Sequence, residues 1–273
     1  MKKWFALFFI AFFAFVLVGC NGAEECEVCE ECPVCEEQNF GFGVGYGLVH
    51  GHYVGYVEIT IDADLNVVAV RFDEYYLPYL SGQVAVDDPE DLPDFVVPVV
   101  RTVRGNVVTN YFAEYIQVGS LLFELEVTGE APTQNFVYKT DTIADIDAWV
   151  EDEANAKYYV DAIYAGEVFF ADDEGNPLDY AFANINVSRG WTKSATGYWT
   201  NPAIWLGWGG NMYAMAQAII GTDMSTPLGD IEQNVDTNLW HVGDIVTGAT
   251  LVDFIDYWQV ALRAYNNAVA SME

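Results

Sequence analysis

A chain of 273 residues with 41 acidic and 10 basic side chains carries a formal net charge of −31. That balance excludes nucleic-acid binding, because no basic patch is available to release counterions from phosphates. With 52% hydrophobic and 15% aromatic residues, most of the chain has the material for a substantial core and is neither a linker nor a disordered binder. The acidity repels anionic lipid headgroups and favours solubility. General solvation accounts for it, and a surface for cationic or metal-bearing partners is the alternative.

Met1-Lys2-Lys3 precedes an apolar run from Trp4 to Val18, followed by Gly19-Cys20. Two positive charges, an apolar stretch and a small residue before the cleavage point make a secretory signal, and the run is short for a membrane span. Leu17-Val18-Gly19-Cys20 resembles the bacterial lipobox. The resemblance implies that residues 1–20 form a lipoprotein signal region, that cleavage leaves Cys20 first in the chain, and that Cys20 carries the lipid. The mature chain is then tethered to the extracytoplasmic face of the membrane, with eight basic residues left against 41 acidic ones. Residues 21–39 are mostly Glu, Cys and small residues, and read as a solvated linker. Cys26, Cys29, Cys32 and Cys35 fall within it at C-x-x-C spacing. Small disulfide loops, a zinc or iron–sulfur site and a spacer with idle thiols all fit that spacing. The interleaved Glu residues disfavour four further negative thiolates, which weighs against metal.

Residues 40–273 make up the globular part. Phe40 to Gly47 alternates glycine with aromatic residues and lacks the spacing of a phosphate loop; it reads as an entry segment to the first strand. From Gly51 to Tyr76 two alternating runs flank the turn Asp62-Ala63-Asp64-Leu65-Asn66, which predicts a β-hairpin. His50 and His52 have no third metal ligand nearby and read as surface histidines. Tyr75 to Asp94 reads as a polar loop. Arg101 and Arg104 are two of the few cations; a carboxylate or phosphate partner is open to them, and local salt bridges are favoured. Leu121 to Val127 alternates as a strand. Thr128-Gly129-Glu130-Ala131 lacks the features of the motif discussed below. Ile143 to Ala165 has helical periodicity. Val168–Phe170 and Ala181–Val187, on either side of an acidic turn, suggest a second hairpin; the turn does not have the ligand spacing of a calcium loop.

Gly190 to Gly210 gathers Trp191, Lys193, Ser194, Tyr198, Trp199, Trp205 and Trp208. Aromatic faces of this kind suit a planar ring, a sugar or simply a core. Met212 to Ile220 reads as a short helix and Asp223 to Thr237 as a loop. Leu251 to Met272 is the clearest helix, with Phe254, Ile255, Trp258, Ala261, Leu262, Tyr265, Ala268 and Val269 on one face. Directly before it stands Asp244-Ile245-Val246-Thr247-Gly248-Ala249-Thr250. Thr250 is expected at a helix N-terminus, where free N–H groups favour an anion. Thr250 as a plain N-cap with Asp253 at N3 fits the same residues.

Asp-x-x-Thr-Gly-Ala-Thr at Asp244–Thr250 resembles the flavinylation motif of the FMN-binding domain family. That family includes the covalent-FMN subunits of Rnf and of the sodium-pumping NADH:quinone reductase, and flavin lipoproteins of extracellular electron transfer. The hairpin from Gly51 to Tyr76 is similar to the family's opening hairpin. Lys193-Ser194-x-x-Gly197-Tyr198 is similar to a segment upstream of the motif in the lipoproteins. The resemblance implies a covalent FMN, placed on Thr250 by a separate flavin transferase. It also implies a site including Ala249, Gly248, Thr247, Asp244, Lys193, Ser194 and Tyr198. A membrane donor (a quinol or dehydrogenase) would supply electrons and an external acceptor would take them. The expected fold is α+β, antiparallel hairpins with packed helices in one domain or two close lobes. The alternative is a lipoprotein that binds a carbohydrate or solute on its Trp/Tyr-rich surface, with Thr250 only a cap. No Ser or Cys nucleophile is paired with a His, so no hydrolase is expected.

Overall fold

Every second residue from Gly41 to Gly47 is a glycine, and this stretch is a strand with its glycine face buried. In the computed structural model, which describes residues 39–273 except 79–81, 184, 186–189, 200–205 and 226–229, strand β1 spans Gly41–Val49. It is more than an entry segment. The C-terminal helix α5 (Phe254–Ala270) lies directly on its glycines. A Cβ at Gly43 would fall 2.2 Å from both Ala264 O and Ala268 N, and one at Gly45 would fall 2.3 Å from Val260 O. The two repeats match. Two strand residues advance about 6.7 Å and four helix residues about 6 Å, so Gly41, Gly43 and Gly45 meet Ala268, Ala264 and Val260 in antiparallel succession. A strand without side chains lets the helix backbone approach closely.

β1 pairs with β2 (Tyr53–Ile61), and β2 with β3 (Val67–Tyr76), both antiparallel. The β2–β3 hairpin is the one expected, with Asp62 Oδ1 accepting from the N–H groups of Asp64 and Asn66 in its turn. β4 (Val96–Val103) and β5 (Asn106–Ala113) form a two-stranded hairpin. A four-stranded sheet follows, made of β6 (Tyr115–Val118), β7 (Leu121–Thr128), β8 (Asn135–Lys139) and β9 (Val168–Ala171) in the order β8-β7-β6-β9.

The helix expected over Ile143–Ala165 is two helices, α1 (Ile146–Trp149) and α2 (Glu153–Ala165). Asp145 starts α1 by accepting from Asp147 N, and Asp152 divides the run by capping α2, its carboxylate accepting from Ala154 N and Asn155 N, groups that a continuous helix would bond internally. The hairpin expected over Val168–Val187 is absent among the described residues. β9 pairs with β6 instead, and Phe182 bridges to Val84. α3 (Lys193–Thr196) and α4 (Gly207–Ile219) contact β3. β10 (Ile231–Gln233), β11 (Trp240–Val242) and β12 (Ile245–Val246) form a small antiparallel sheet before α5.

The fold is therefore mixed α+β with antiparallel sheets and, among the described residues, five helices. One cluster of buried side chains runs from Val49 to Ala268 through both larger sheets, and α2 contacts β1 and β6, so the two sheets share a core instead of forming separate lobes. No helix among the described residues is long and apolar enough to cross a membrane. The signal region with Cys20, Cys26, Cys29, Cys32, Cys35 and Trp205 lie outside the described residues.

Tyr265 ties α5 to the rest through its hydroxyl, which donates to Leu65 O (3.0 Å) and Asp223 Oδ1 (2.6 Å). Burial, then the Asp223 carboxylate, push its pKa up from 10.0 to about 12. The folded chain thus keeps this proton more tightly than the unfolded one. The stabilisation is complete below pH 10 and is lost as the pH rises toward about 12. Denaturation midpoints measured from pH 8 upward are expected to fall in that window, and more shallowly in Tyr265→Phe. An unchanged alkaline slope in the variant would count against the bond.

Candidate functional site

The end of β3 supplies the base of the site. Glu74 is 0% exposed. Its Oε2 lies 2.6 Å from Lys193 Nζ, and its Oε1 accepts from Tyr257 Oη (2.5 Å) and from Trp208 Nε1. One carboxylate thus joins β3, α3, α4 and α5. A buried carboxylate requires such partners.

Lys193 is the first residue of α3, which Thr192 caps by accepting from Ala195 N. Its side chain is 3% exposed. The ammonium sits 3.6 Å from the centre of the Tyr53 ring and 4.6 Å from that of Tyr198. Burial pulls the Lys193 pKa below its ordinary value, and Glu74 opposes that pull. Gly197, left-handed at φ 68°, ends the helix and lets Tyr198 and Trp199 turn to the mouth of a cavity, where they are 40% and 47% exposed.

The loop before α5 forms the facing wall. Asp244 is exposed in the β11–β12 turn. Thr247 is buried; its N–H and Oγ1 both donate to Trp240 O, at 2.9 and 2.8 Å, and Oγ1 accepts from Ala249 N. Gly248 takes φ 74°, a conformation that disfavours any side chain. Ala249 is buried and accepts from Trp240 N. Trp240 also donates from Nε1 to Leu251 O (2.6 Å) and stacks on Phe254 at 5.2 Å. Thr250 follows, its N–H donating to Asn211 Oδ1 (2.7 Å) and its Oγ1 facing the same oxygen at 3.4 Å. Asn211 is itself buried and anchored through Nδ2 to Gly207 O.

The position expected for Thr250 needs correction. α5 begins at Phe254, and the residue at its cap is Asp253, without a side-chain capping bond. The Asp253 carboxylate is engaged by the His50 ring instead. Thr250 is neither N-cap nor a donor at the helix terminus, because its N–H is occupied by Asn211.

A cavity of about 780 Å³ lies between these walls, within the size range of small-molecule sites. Thr250, Lys193 and Tyr198 line it, with Trp199, Trp208, Tyr257, Asn211 and Arg104. Of the other expected site residues, Thr247, Gly248 and Ala249 shape the loop behind Thr250. Asp244 and Ser194 are not among the lining residues. Ser194 is turned to the other side of β3, where its N–H and hydroxyl both donate to Asp73. Trp191 is packed edge-on against Phe182 at 4.8 Å, apart from the cavity. His50 and His52 lie in the β1–β2 turn on either side of Gly51 and bind Asp253 and Asp147 respectively. No cluster of metal-ligating side chains occurs among the described residues.

Glu74, Asn211 and Tyr257 were not marked by the sequence. The signal available for Glu74 was an acidic residue at the apolar end of a strand; Asn211, amid small and apolar helix residues, carried a similar hint.

No protein-family model, curated protein or solved structure matches this chain. Its chemistry is therefore read from its own geometry. Thr250 Oγ1 contacts an amide oxygen, which orients a hydroxyl but is too weak a base to deprotonate it. The aromatic walls suit a planar ring, and the cavity holds cations at a surface that is otherwise acidic.

Proposed function

We propose that the chain is an electron carrier of the FMN-binding-domain type, with FMN joined through a phosphoester to Thr250 and a lipid on Cys20 tethering it to the extracytoplasmic face of the membrane. The observation that carries this reading is the placement of the motif's last threonine. Its hydroxyl is held by a buried asparagine on the wall of an aromatic-lined cavity large enough for a flavin. The residues present fit the group. Tyr198, Trp199, Trp208 and Tyr257 offer ring faces and edges, and Arg104 and Lys193 offer positive charge.

The flavin, when bound, supplies the electron chemistry. The protein supplies orientation. Asn211 fixes the rotamer of Thr250, Gly248 permits the turn that presents it, and Thr247 locks that turn to Trp240. No base among the described residues contacts Thr250, which is consistent with modification by a separate flavin transferase. Direct condensation with free phosphate is unfavourable in water, so the donor would carry a leaving group on its flavin phosphate. The Thr250 oxygen would bond to that phosphorus as the bond to the leaving group breaks, the electron pair departing with that group and the hydroxyl proton passing to a base of the transferase. A membrane quinol or dehydrogenase as donor, and another carrier or an external acceptor, complete the reading.

The full chain co-expressed with an active flavin transferase is expected to be yellow and to gain the mass of one FMN less one water. Thr250→Ala is expected to gain nothing. A colourless, unmodified wild type would remove the flavin reading. It would favour the solute- or carbohydrate-binding alternative, which the exposed Tyr198 and Trp199 rings at the cavity mouth also suit.

A further inference from the structure

Cations are scarce in this chain, and nearly all of those described are committed. Arg71, Lys139, Lys157 and Lys193 pair with carboxylates. Arg263 donates to the carbonyls of Tyr46 and Glu151, and Arg101 lies over the Phe136 ring. Arg104 alone among the described lysines and arginines has a side chain with no ion pair, hydrogen bond or ring contact. It nevertheless lines the cavity that Thr250 lines. The other two basic groups there are engaged, Lys193 by Glu74 and His50 by Asp253.

The turn that carries Arg104 does not explain the choice of residue. Arg104 and Gly105 are the two central residues of the β4–β5 hairpin, closed by the Val103–Asn106 pair, and both have positive φ, 51° and 80°. Two-residue turns of this kind favour asparagine or aspartate before the glycine. An arginine in the left-handed region costs about 1 kcal/mol. A strained residue with a free guanidinium at a cavity is the pattern of a ligand contact.

We propose that Arg104 is the anion-recognising residue of this cavity, selecting ligands that carry a phosphate ester on a planar ring system. The guanidinium offers several N–H donors in one plane, which match phosphate oxygens, and its charge has no carboxylate to satisfy it first. The inference takes the identity of the ring from the flavin reading but does not depend on the covalent bond.

The test uses the full chain made without a flavin transferase, so that bound flavin is non-covalent. FMN and riboflavin differ only in the phosphate, and the affinity of each follows from the quenching of flavin fluorescence. The wild type is expected to bind FMN about tenfold more tightly than riboflavin, a preference that shrinks as salt is added. Arg104→Gln is expected to lose the preference through weaker FMN binding, with riboflavin affinity unchanged. Arg104→Lys should keep part of it. Equal FMN-to-riboflavin ratios in wild type and Arg104→Gln would overturn the assignment, and so would a wild type that binds neither. A protein that prefers FMN through Arg104 yet is never modified at Thr250 would keep this inference and remove the covalent one.

Discussion

Gly43→Ala is expected to destabilise the protein by about 3 kcal/mol, the upper end of the usual range for overpacking, although it adds one methyl group to a residue of ordinary strand geometry. The new Cβ would lie 2.2 Å from the carbonyl oxygen of Ala264 and from the amide nitrogen of Ala268. Both are backbone atoms inside α5, so no side-chain rotation relieves the overlap. Either the helix lifts from β1 along its length or the strand bows, and each opens the contact at Gly41 and Gly45 as well. The control is Gly209→Ala in α4, where a Cβ meets nothing within 4 Å and the glycine has no positive φ. There the same substitution is expected to stabilise by about 0.5–1 kcal/mol, the helix-propensity difference between the two residues. Urea denaturation of both variants decides the matter. Equal and small effects would show that α5 is not seated on the glycines as described.

This contact also shows where the sequence was legible and where it was not. The β2–β3 hairpin and α5 repeat at periods of 2 and 3.6 residues in side-chain polarity, and both were readable. β1 hides its buried face in residues that have no side chain, so a period-2 pattern of glycines looks like a loop until a partner is placed on it. The helical run from Ile143 to Ala165 was correct in type but not in continuity, because Asp145 and Asp152 are helix formers at a cap and helix breakers in a run. β9 was readable as a strand, but its partner was not. Choosing β6 over a hairpin with the residues that follow is a matter of tertiary packing, to which local pattern is blind.

The site divides in the same way. Thr247, Gly248 and Ala249 were singled out by the resemblance of Asp244–Thr250 to a known motif. In the structure they hold a loop against Trp240, while Thr250 lines the cavity with its N–H bonded to Asn211, 39 residues away in sequence. Ser194, adjacent to Lys193 and grouped with it by the resemblance, bonds Asp73 while Lys193 bonds Glu74, because adjacent residues of β3 point to opposite faces and adjacent residues of α3 point about 100° apart. Arg104 is far from the motif in sequence and is brought to its cavity only by the β4–β5 hairpin. Long-range pairs of this kind leave no trace in spacing.

Glu74→Ala is expected to be the most damaging change at the site, at about 3–5 kcal/mol, the usual result of leaving one member of a buried ion pair alone. Three groups lose their partner at once. The ammonium of the buried Lys193 side chain keeps, among the described residues, the faces of Tyr53 and Tyr198, while Trp208 Nε1 and Tyr257 Oη lose the oxygen that positions them on the cavity wall. Set against a typical total stability of about 5–15 kcal/mol, that loss threatens the fold at moderate temperature. The double variant Glu74→Leu with Lys193→Met is expected to recover most of the stability, because a buried pair replaced by apolar side chains of similar size is often neutral. The sign of the pH dependence gives a second check. Lys193 already has a folded pKa below its unfolded value of 10.5, and without Glu74 it falls further. The unfolded chain then binds more protons than the folded one in the interval up to 10.5, so Glu74→Ala should gain stability as the pH rises through that interval, more steeply than the wild type does. Denaturation of the single and double variants at neutral and alkaline pH reads both effects. A single variant within about 1 kcal/mol of wild type, where surface pairs fall, or a double variant no better than the single, would mean that the carboxylate does not hold Lys193 in the cavity wall. Recovery of stability without recovery of flavin capture would mean instead that the charged pair, and not merely a filled core, sets the geometry of the aromatic walls around Thr250.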